Sequence, residues 1–223
     1  MEAIAHIRTD FKEKFGIPRQ SGMIDELAGS IYFEPKYQDA NAFRGLEEYS
    51  HIWLLWEFSE NKKEEWSPMV KPPRLGGKKR MGVFATRSPF RPNNIGLSCV
   101  KLEAIEYTKN HGPVLHVLGI DLLDNTPIYD IKPYIPYADC HVDAKGGFGE
   151  ENKEHTVAVN FPKELLEVLP KEKQAAAMKI LSLDPKPAYQ SDPDRKYGVA
   201  FAGYDIRFKI KEDVLNVVEV VKL

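Results

Sequence analysis

The chain has 223 residues, of which 43% are hydrophobic and 11% aromatic, and its formal net charge is −2. This composition can fill a substantial core and excludes a low-complexity disordered protein, while the near-neutral charge excludes indiscriminate coating of polyanions. No apolar run approaches the roughly 20 residues that cross a bilayer. Cys99 and Cys140 are too few for a disulfide framework. Two reduced thiols and an N-terminal segment without the pattern of a signal peptide predict a cytoplasmic protein.

Short apolar runs bounded by Gly, Pro, Asn or Asp dominate the N-terminal part of the chain and predict β-strands. The predicted strands are Ala3–Ile7, His51–Phe58, Met81–Thr86, Leu97–Ile105, Val114–Leu118 and Ile128–Ile131. One helix is predicted over Asp39–Tyr49, and few connections are long enough for repeated βαβ units. Many short strands with turn residues between them favour a closed or nearly closed sheet.

A polar, glycine-containing segment over Asp143–His155 follows this β-rich part. We predict a linker there, with one domain at residues 1–142 and a second, small α+β domain at residues 156–223. The elements predicted for the second domain are a strand at Thr156–Asn160, one or two helices over Lys163–Leu183 interrupted by Pro170, and strands at Tyr197–Ala202, Tyr204–Ile210 and Val214–Val220. The predicted fold class is mainly β with an α+β appendage.

Common cofactor and metal motifs are not recognisable. The glycines of Gly146–Gly149 follow no strand and open no apolar helix, so they indicate a flexible segment more than a nucleotide site. The segment Asp139–Asp143 mixes hard and soft metal donors without a second cluster to support them, and we predict a solvent-facing loop and no metal.

The most informative feature is a basic tract. Residues 66–102 contain no Asp or Glu and eight Lys or Arg, which leaves a net charge of −10 for the rest of the chain. Its simplest interpretation is a solvated basic face. However, Arg87 and Arg91 flank a Ser-Pro-Phe turn in which proline restricts the backbone. Guanidinium groups held in this way suit carboxylate or phosphate, which accept two parallel hydrogen bonds.

Several segments of this tract and of the flanking chain occur in an order that resembles one family. They are IPRQSG (Ile17–Gly22), RLGG (Arg74–Gly77), MGVFATRSPFRPN (Met81–Asn93), IGLS (Ile95–Ser98), DLLDNTP (Asp121–Pro127), DIKPYIPY (Asp130–Tyr137) and DPKPAY (Asp184–Tyr189). The family is that of the TsaA-like (TrmO) tRNA methyltransferases, and the resemblance covers nearly the whole chain. Asn125 stands where the family usually has glycine and Lys186 where it has arginine, so a bidentate role at position 186 is not expected.

The resemblance implies a single-sheeted β-barrel methyltransferase with a small C-terminal α+β domain, acting as a homodimer. It implies S-adenosylmethionine as the methyl donor and the anticodon arm of tRNA as the partner. The implied reaction is methylation of N6 of N6-threonylcarbamoyladenosine at position 37, next to the anticodon. The residues expected to line the cofactor site are Pro18, Arg19, Gln20, Ser59, Glu60, Arg87, Leu97, Ile120, Asp121 and Leu122.

The chemistry of this reaction suggests roles for further residues. N6 of the modified nucleoside is bonded to a carbamoyl group and is a sluggish nucleophile, so a carboxylate that accepts its proton is expected. The candidates are Asp124 first and Asp184 second. Arg91 is expected to bind the threonyl carboxylate, and Tyr189 of the last motif is the remaining catalytic candidate. Lys78, Lys79 and Arg80 are assigned to RNA phosphates, which position without specifying sequence.

Two alternatives stay open at this point. One is a non-catalytic RNA-binding module, in which the barrel and the basic tract only grip an anticodon arm. The other is a methyltransferase of the same fold that acts on a different substrate. Binding of S-adenosylmethionine separates the first alternative from an enzyme, and the identity of the methylated nucleoside separates the second.

Overall fold

The computed structural model describes residues 1–60, 66–72, 79–150, 156–186, 192 and 194–223. The N-terminal part contains eight strands: β1 Ala5–Thr9, β2 Ala28–Phe33, β3 His51–Glu57, β4 Met69–Val70, β5 Met81–Gly82, β6 Ile95–Thr108, β7 Gly112–Leu118 and β8 Pro127–Pro133. Six of them close into a barrel in the order β1-β2-β7-β6-β3-β8, with every neighbouring pair antiparallel. Closure removes the exposed sheet edges that would otherwise invite aggregation.

Alternation along the strands fills the barrel. In β3 the side chains of Ile52, Leu54 and Trp56 are buried, while the residues between them are more exposed. Trp56 pairs with Gly96 of β6, and a Cβ added at Gly96 would lie 2.3 Å from the Trp56 ring. Glycine at this position therefore allows the indole ring to lie flat across β6.

The C-terminal region forms a second, smaller sheet. Its elements are β9 Ala158–Asn160, α3 Lys163–Leu166, α4 Lys171–Ser182, β10 Tyr197–Phe201, β11 Tyr204–Lys211 and β12 Val214–Lys222. The sheet order is β10-β11-β12-β9, and β9 runs parallel to β12. Two short helices, α1 Pro136–Asp139 and α2 Gly147–Glu150, lie between the barrel and this region.

The C-terminal region packs against the segment that follows β1. The ring of Phe11 lies 5.4 Å from that of Phe201, and Lys173 forms an ion pair of 2.6 Å with Asp10. A buried apolar cluster runs without interruption through both parts of the chain. The segment 10–27, which contains the IPRQSG motif, is thereby fixed between the barrel and the C-terminal sheet.

The fold class is confirmed: the chain is mainly β, with a closed six-stranded barrel and a small α+β region. Two predicted elements are wrong. The helix predicted over Asp39–Tyr49 is replaced by two short 3-10 turns, Ala40–Phe43 and Leu46–Glu48, because Gly45 between them has a φ of 86°. The strand predicted over Met81–Thr86 ends at Gly82, and a 3-10 turn over Val83–Ala85 follows.

Two further differences concern segments that sequence patterns describe poorly. The strand β2 is missing from the sequence-based prediction, since Gly29 and Ser30 interrupt the apolar residues of its sequence AGSIYF. The predicted linker contains α2, while its residues 151–155 lie outside the described part of the chain. Within the described ranges, no helix combines the length and apolar character needed to cross a membrane.

Candidate active site

Three segments that are distant in sequence meet at one end of the barrel. The backbone N–H of Gly22 donates to the carbonyl of Gly119 over 2.8 Å. The backbone N–H of Cys99 donates to the hydroxyl of Ser21 over 3.1 Å. The IPRQSG motif therefore contacts both β6 and the segment that leaves β7. These contacts bring it next to two other motifs of the family resemblance, IGLS and DLLDNTP.

At the centre of this junction is the carboxyl group of Asp121. The indole N–H of Trp56 donates to the hydroxyl of Ser98 over 2.9 Å, and this hydroxyl donates to Asp121 Oδ1 over 2.6 Å. Ser98 is completely buried. A polar group buried in a barrel needs partners, and Ser98 has one on each side. The three side chains form a continuous chain of hydrogen bonds from the barrel core to the junction.

The surroundings of Asp121 change its acidity. Burial raises the pKa of Asp121 to about 6, although hydrogen bonds from Ser98 and from backbone groups, including that of Ser21, and the charge of Arg87 oppose this rise. A carboxyl group with a pKa in this range exchanges its proton close to neutral pH. Such perturbed groups are typical of functional sites.

Arg87 joins this site from the basic tract. One of its Nη1 hydrogens is donated to Oε1 of Gln20, and the Gln20 amide donates to the carbonyl of Arg19. Leu97, between Gly96 and Ser98 on β6, has an exposed fraction of 46%, which is high for leucine. The junction thus combines a carboxyl group, a guanidinium group, an amide and an exposed apolar side chain.

The remaining residues predicted to bind the cofactor lie in the same segments. Pro18, Ile120 and Leu122 are buried, and the carbonyl of Leu122 accepts the hydroxyl of Thr9 over 3.2 Å, so these residues support the site from within the protein. Ser59 and Glu60 follow β3, and Lys14 Nζ donates to the carbonyl of Glu60 over 3.0 Å. This bond connects the end of β3 to the segment that carries the IPRQSG motif.

Asp124, the first candidate for the base, is held by several donors. Its Oδ1 accepts the backbone N–H of Thr9 over 2.9 Å, and its Oδ2 lies 2.5 Å from Lys12 Nζ and 3.5 Å from Arg8 Nη1. Burial raises its pKa, but the bonds from Lys12 and Thr9 and the two positive charges outweigh burial and lower the pKa overall. This arrangement ties the turn at Asn125, whose φ is 63°, to the end of β1. A carboxylate stabilised in this way is a weak base.

The other predicted catalytic residues lie elsewhere. Asp184 is buried directly after α4, with a backbone φ of 50°. Tyr189 lies outside the described residues. Arg91 lies in the loop between β5 and β6, where its Nη1 donates to the carbonyls of Val83, over 3.1 Å, and Thr86, over 2.6 Å. The structure therefore assigns part of the Arg91 guanidinium to holding its own loop.

Of the three residues assigned to phosphates, Lys79 and Arg80 are exposed, and Lys78 lies outside the described residues.

Across the ranges that the structure describes, no group of three or more His, Cys, Asp or Glu side chains is placed to hold a metal ion. Burial raises the pKa of the Cys99 thiol, with a further contribution from the charge of Asp139. A thiol of raised pKa is a poor nucleophile near neutral pH.

Sequence reasoning missed Trp56, Ser98 and Ser21 as parts of the site. Ser98 could have been found, because it occupies a core-facing position of β6 between the buried residues Gly96 and Val100. A hydroxyl at a core-facing position among apolar residues needs a buried partner, and here that partner is the carboxyl group of Asp121. The contact between Ser21 and Asp121 depends on chain crossing and has no local sequence pattern.

Comparison with known proteins identifies the family. A family model for the tRNA-methyltransferase O N-terminal domain matches residues 6–140, and one for the TrmO C-terminal domain matches residues 154–223. The chain is 38% identical to the tRNA (adenine(37)-N6)-methyltransferase of Escherichia coli K12, over 95% of this chain and 93% of that protein.

Two Pseudomonas aeruginosa proteins agree with this result. RcsF, which is named as a putative S-adenosylmethionine-dependent methyltransferase, is 38% identical over 97% of this chain and 95% of its own length. The crystal structure of TrmO from the same organism superposes with a TM-score of 0.80 at 34% identity, covering 99% of this chain and 95% of that one. The chain therefore belongs to the tRNA-methyltransferase O (TrmO) family.

Proposed function

We propose that this protein transfers a methyl group from S-adenosylmethionine to N6 of N6-threonylcarbamoyladenosine at position 37 of tRNA. Methyl transfer to adenine N6 of tRNA is supported by the names of relatives that match nearly the whole chain. The observation that carries the proposal is the meeting of the IPRQSG, IGLS and DLLDNTP motifs around the carboxyl group of Asp121.

The donors at this junction fit the proposed cofactor. S-adenosylmethionine supplies an electrophilic methyl group on a positively charged sulfonium, and it carries no phosphate that would require a glycine-rich loop. Asp121 offers a negative charge, Gln20 and Arg87 offer hydrogen bonds, and Leu97 offers apolar surface. Ile120 and Leu122, buried before and after Asp121 in the chain, would hold this carboxyl group in place.

Within this proposal the proton-accepting role goes to Asp121 ahead of Asp124 and Asp184. A general base works best when its pKa lies near the working pH, and burial raises the pKa of Asp121 to about 6. The lowered pKa of Asp124 and its bonds to Lys12 and Thr9 suit a structural anchor. Asp121 would accept the N6 proton as the nitrogen attacks, while the hydroxyl of Ser98 keeps the carboxylate oriented.

The proposal also includes features of the whole molecule. We place a domain boundary within residues 143–155, and we expect a cytoplasmic homodimer that binds the anticodon arm. Lys78, Lys79 and Arg80 are assigned to its phosphates. Light scattering of the purified protein, measured over a range of concentrations, tests the dimer independently of activity.

Incubation with S-adenosylmethionine and tRNA, followed by mass spectrometry of the nucleosides, tests the function. We expect methylated threonylcarbamoyladenosine from tRNA that carries the modification at position 37, and no product from tRNA that lacks it. A non-catalytic module would give no product and no rise in melting temperature with S-adenosylmethionine. Methylation of a different nucleoside would replace the proposed substrate while leaving the reaction class in place.

Arg91 gives a prediction about discrimination. Its Nη1 is used by the loop, whereas its Nε and Nη2 groups make no hydrogen bond within the described ranges and could bind the threonyl carboxylate. We expect Arg91→Ala to reduce the affinity for a modified anticodon stem-loop by at least ten-fold, because a lost partner for a desolvated charge typically costs about 2–5 kcal/mol. The affinity for the unmodified stem-loop, measured in parallel by titration calorimetry, should change far less. Equal losses on both would exclude this role.

A further inference from the structure

Two large aromatic side chains are exposed side by side within the basic tract. Trp66 and Phe84 have exposed fractions of 50% and 72%, and their rings are stacked, with centroids 6.1 Å apart and an interplanar angle of 29°. The guanidinium of Arg91 lies over the Phe84 ring, with its central carbon 5.8 Å from the ring centroid. Neither of these two contacts involves the chain of hydrogen bonds that ends at Asp121.

The local architecture enforces this exposure. The strands β4 and β5 pair through Met69 with Gly82 and Val70 with Met81, and the N–H of Val83 donates to the carbonyl of Pro68 over 2.9 Å. Val70 and Val83 point into the protein, with exposed fractions of 9% and 1%. Because Val83 faces inward in its 3-10 turn, the next residue, Phe84, must face outward.

Hydrogen bonds to backbone carbonyls also fix the 3-10 turn Val83–Ala85. The carbonyl of Val83 accepts the hydroxyl of Thr86 over 2.8 Å as well as Arg91 Nη1 over 3.1 Å. Arg91 Nη1 also holds the carbonyl of Thr86 over 2.6 Å. The Phe84 ring therefore stands on a rigid turn, and ordering it for a ligand costs little conformational entropy.

The charge around these rings indicates the chemistry of what covers them. Lys71, Lys79 and Arg80 are exposed on the same pair of strands and their flanks, and no acidic residue occurs in residues 66–102. A flat apolar surface flanked by these three positive charges is complementary to a flat apolar group on an anionic chain. Unpaired bases of RNA have this combination, and they are commonly bound by stacking on aromatic rings and guanidinium planes.

The short length of chain between Phe84 and the candidate active site indicates which base of the RNA the rings would bind. Arg87 is bonded to Gln20 and acts on Asp121, and it lies three residues after Phe84. Three residues span at most about 11 Å even when fully extended. A nucleotide next to one held at Asp121 would therefore come within reach of the Phe84 ring.

We propose that Trp66 and Phe84, supported by Arg91, form a stacking site for an unpaired base that flanks the methylated nucleoside. This inference rests on the proposed function in taking RNA as the partner and the Asp121 junction as the place of the target nucleoside. The site binds its base without hydrogen-bond readout, so it holds the loop open and in register while the target nucleoside occupies the junction. Stacking on such rings is sequence-tolerant, because every base has a flat face.

The test uses the full chain and an anticodon stem-loop with 2-aminopurine beside the target position. Phe84→Ala and Trp66→Ala should each lower the affinity about 5- to 150-fold, which is the range that loss of one base–aromatic contact produces. Phe84→Tyr should restore the wild-type affinity, since the ring is retained. The fluorescence of 2-aminopurine should be quenched on binding to the wild type and to Phe84→Tyr, but much less on binding to Phe84→Ala.

Matched variants separate stacking from charge and from folding. Tyr107, an aromatic residue with an exposed fraction of 58% at the far end of β6, serves as the control, and Tyr107→Ala should bind as the wild type does. Combined Lys79→Gln and Arg80→Gln substitution should reduce the salt dependence of binding by about one unit or less per lost phosphate contact, whereas Phe84→Ala should not change that slope. The rise in melting temperature with S-adenosylmethionine should persist in Phe84→Ala.

Three outcomes would overturn the inference. The first is unchanged affinity and quenching in both alanine variants of an active methyltransferase, which would leave the proposed function intact. The second is conversion of a dimer to a monomer by Phe84→Ala with unchanged binding per protomer, which would make the rings a contact between copies. The third is absence of any RNA binding by the wild type. Conversely, a wild type that methylates no tRNA but stacks 2-aminopurine through Phe84 would support this site and contradict the proposed function.

Discussion

Replacement of Asp121 by Asn is expected to abolish most of the methyl transfer and, at neutral pH, to stabilise the protein. The carboxyl group is the only member of the chain Trp56–Ser98–Asp121 that can accept a proton near neutral pH. General-base assistance contributes on the order of 10²–10⁴ in rate, and we expect a loss of this size in kcat. Asn has nearly the same shape and can still accept the hydrogen bond from Ser98, so the loss would reflect the missing base.

The effect on stability has a definite dependence on pH. Burial raises the pKa of Asp121 from 3.8 to about 6, so between these values the folded protein holds a proton that the unfolded chain has released. The stability of the wild type therefore falls as the pH rises from about 4 to about 6. The amide introduced by Asp121→Asn does not titrate in this range. Thermal unfolding should show a stability gain for Asp121→Asn that is absent near pH 4, grows through pH 6 and is complete above it.

Asp124→Asn is the matched comparison, because its carboxyl group is perturbed in the opposite direction. Its lowered pKa means that the carboxylate, paired with Lys12 and Arg8, contributes stability above the pKa of the unfolded chain. Asp124→Asn should therefore be less stable than the wild type at neutral pH, with a difference that shrinks in acid. If Asp124→Asn instead lost methyl transfer and Asp121→Asn retained it, the base would be Asp124.

The pH dependence of the wild-type rate should follow the ionisation of Asp121. A base must be deprotonated to act, so kcat/KM should rise through a pKa near 6 and then level off, if Asp121 keeps its raised pKa in the free enzyme. The residual kcat/KM of Asp121→Asn should not show this rise with pH. A wild-type profile that is flat from pH 5 to 8, in the range where the protein stays folded, would contradict the assignment.

The strands that sequence patterns predicted well are dense in aromatic and aliphatic residues. His51–Glu57 is such a run, with every second side chain buried, and Val114 and Leu115 begin another in which consecutive residues are buried. The turn at Val83–Ala85 has the same apolar composition as a strand, yet Val83 faces the core and Phe84 faces solvent within one 3-10 turn. Composition alone cannot distinguish these two arrangements, since the difference depends on the pairing of β4 with β5.

The candidate site was also only partly predictable from the sequence. Motif resemblance placed Gln20, Arg87 and Asp121 in one predicted cofactor site, and the structure joins their segments by hydrogen bonds and charge. Resemblance could not rank the carboxyl groups, because Asp121 and Asp124 lie in the same DLLDNTP motif. Their opposite pKa shifts arise from the folded environment. Burial raises the pKa of Asp121 despite the bond from Ser98 on β6, whereas at Asp124 the bonds from Lys12 and Thr9 outweigh burial and lower the pKa.

These contacts also explain why so much of the site depends on the barrel core. Ser98 orients Asp121, Trp56 orients Ser98, and Trp56 itself packs against Phe58 with ring centroids 4.3 Å apart. A buried chain of hydrogen bonds is worth most when every member is satisfied, and it fails as a unit when one member moves. A change on β6 that touches no ligand should therefore disturb the carboxyl group.

Gly96→Ala is the substitution that tests this coupling most directly. The added Cβ would lie 2.3 to 2.6 Å from atoms of the Trp56 ring, far inside van der Waals contact, and the ring is buried. Overpacking of this kind typically costs about 1–3 kcal/mol. For a chain of this size that corresponds to a decrease in melting temperature of about 2–12 °C.

The effect of Gly96→Ala on activity should exceed what its effect on stability explains. Displacement of the indole ring breaks its bond to Ser98, which lets the hydroxyl turn away from Asp121, so kcat should fall even at temperatures where the variant is fully folded. Gly82→Ala is the control, because its φ is −60° and a Cβ there would have no atom within 4 Å. Adding Trp56→Leu to Gly96→Ala should remove the clash without restoring kcat, since leucine cannot donate to Ser98. Recovery of kcat in that double variant would show that the clash alone mattered, and that Asp121 does not depend on the Trp56–Ser98 bond.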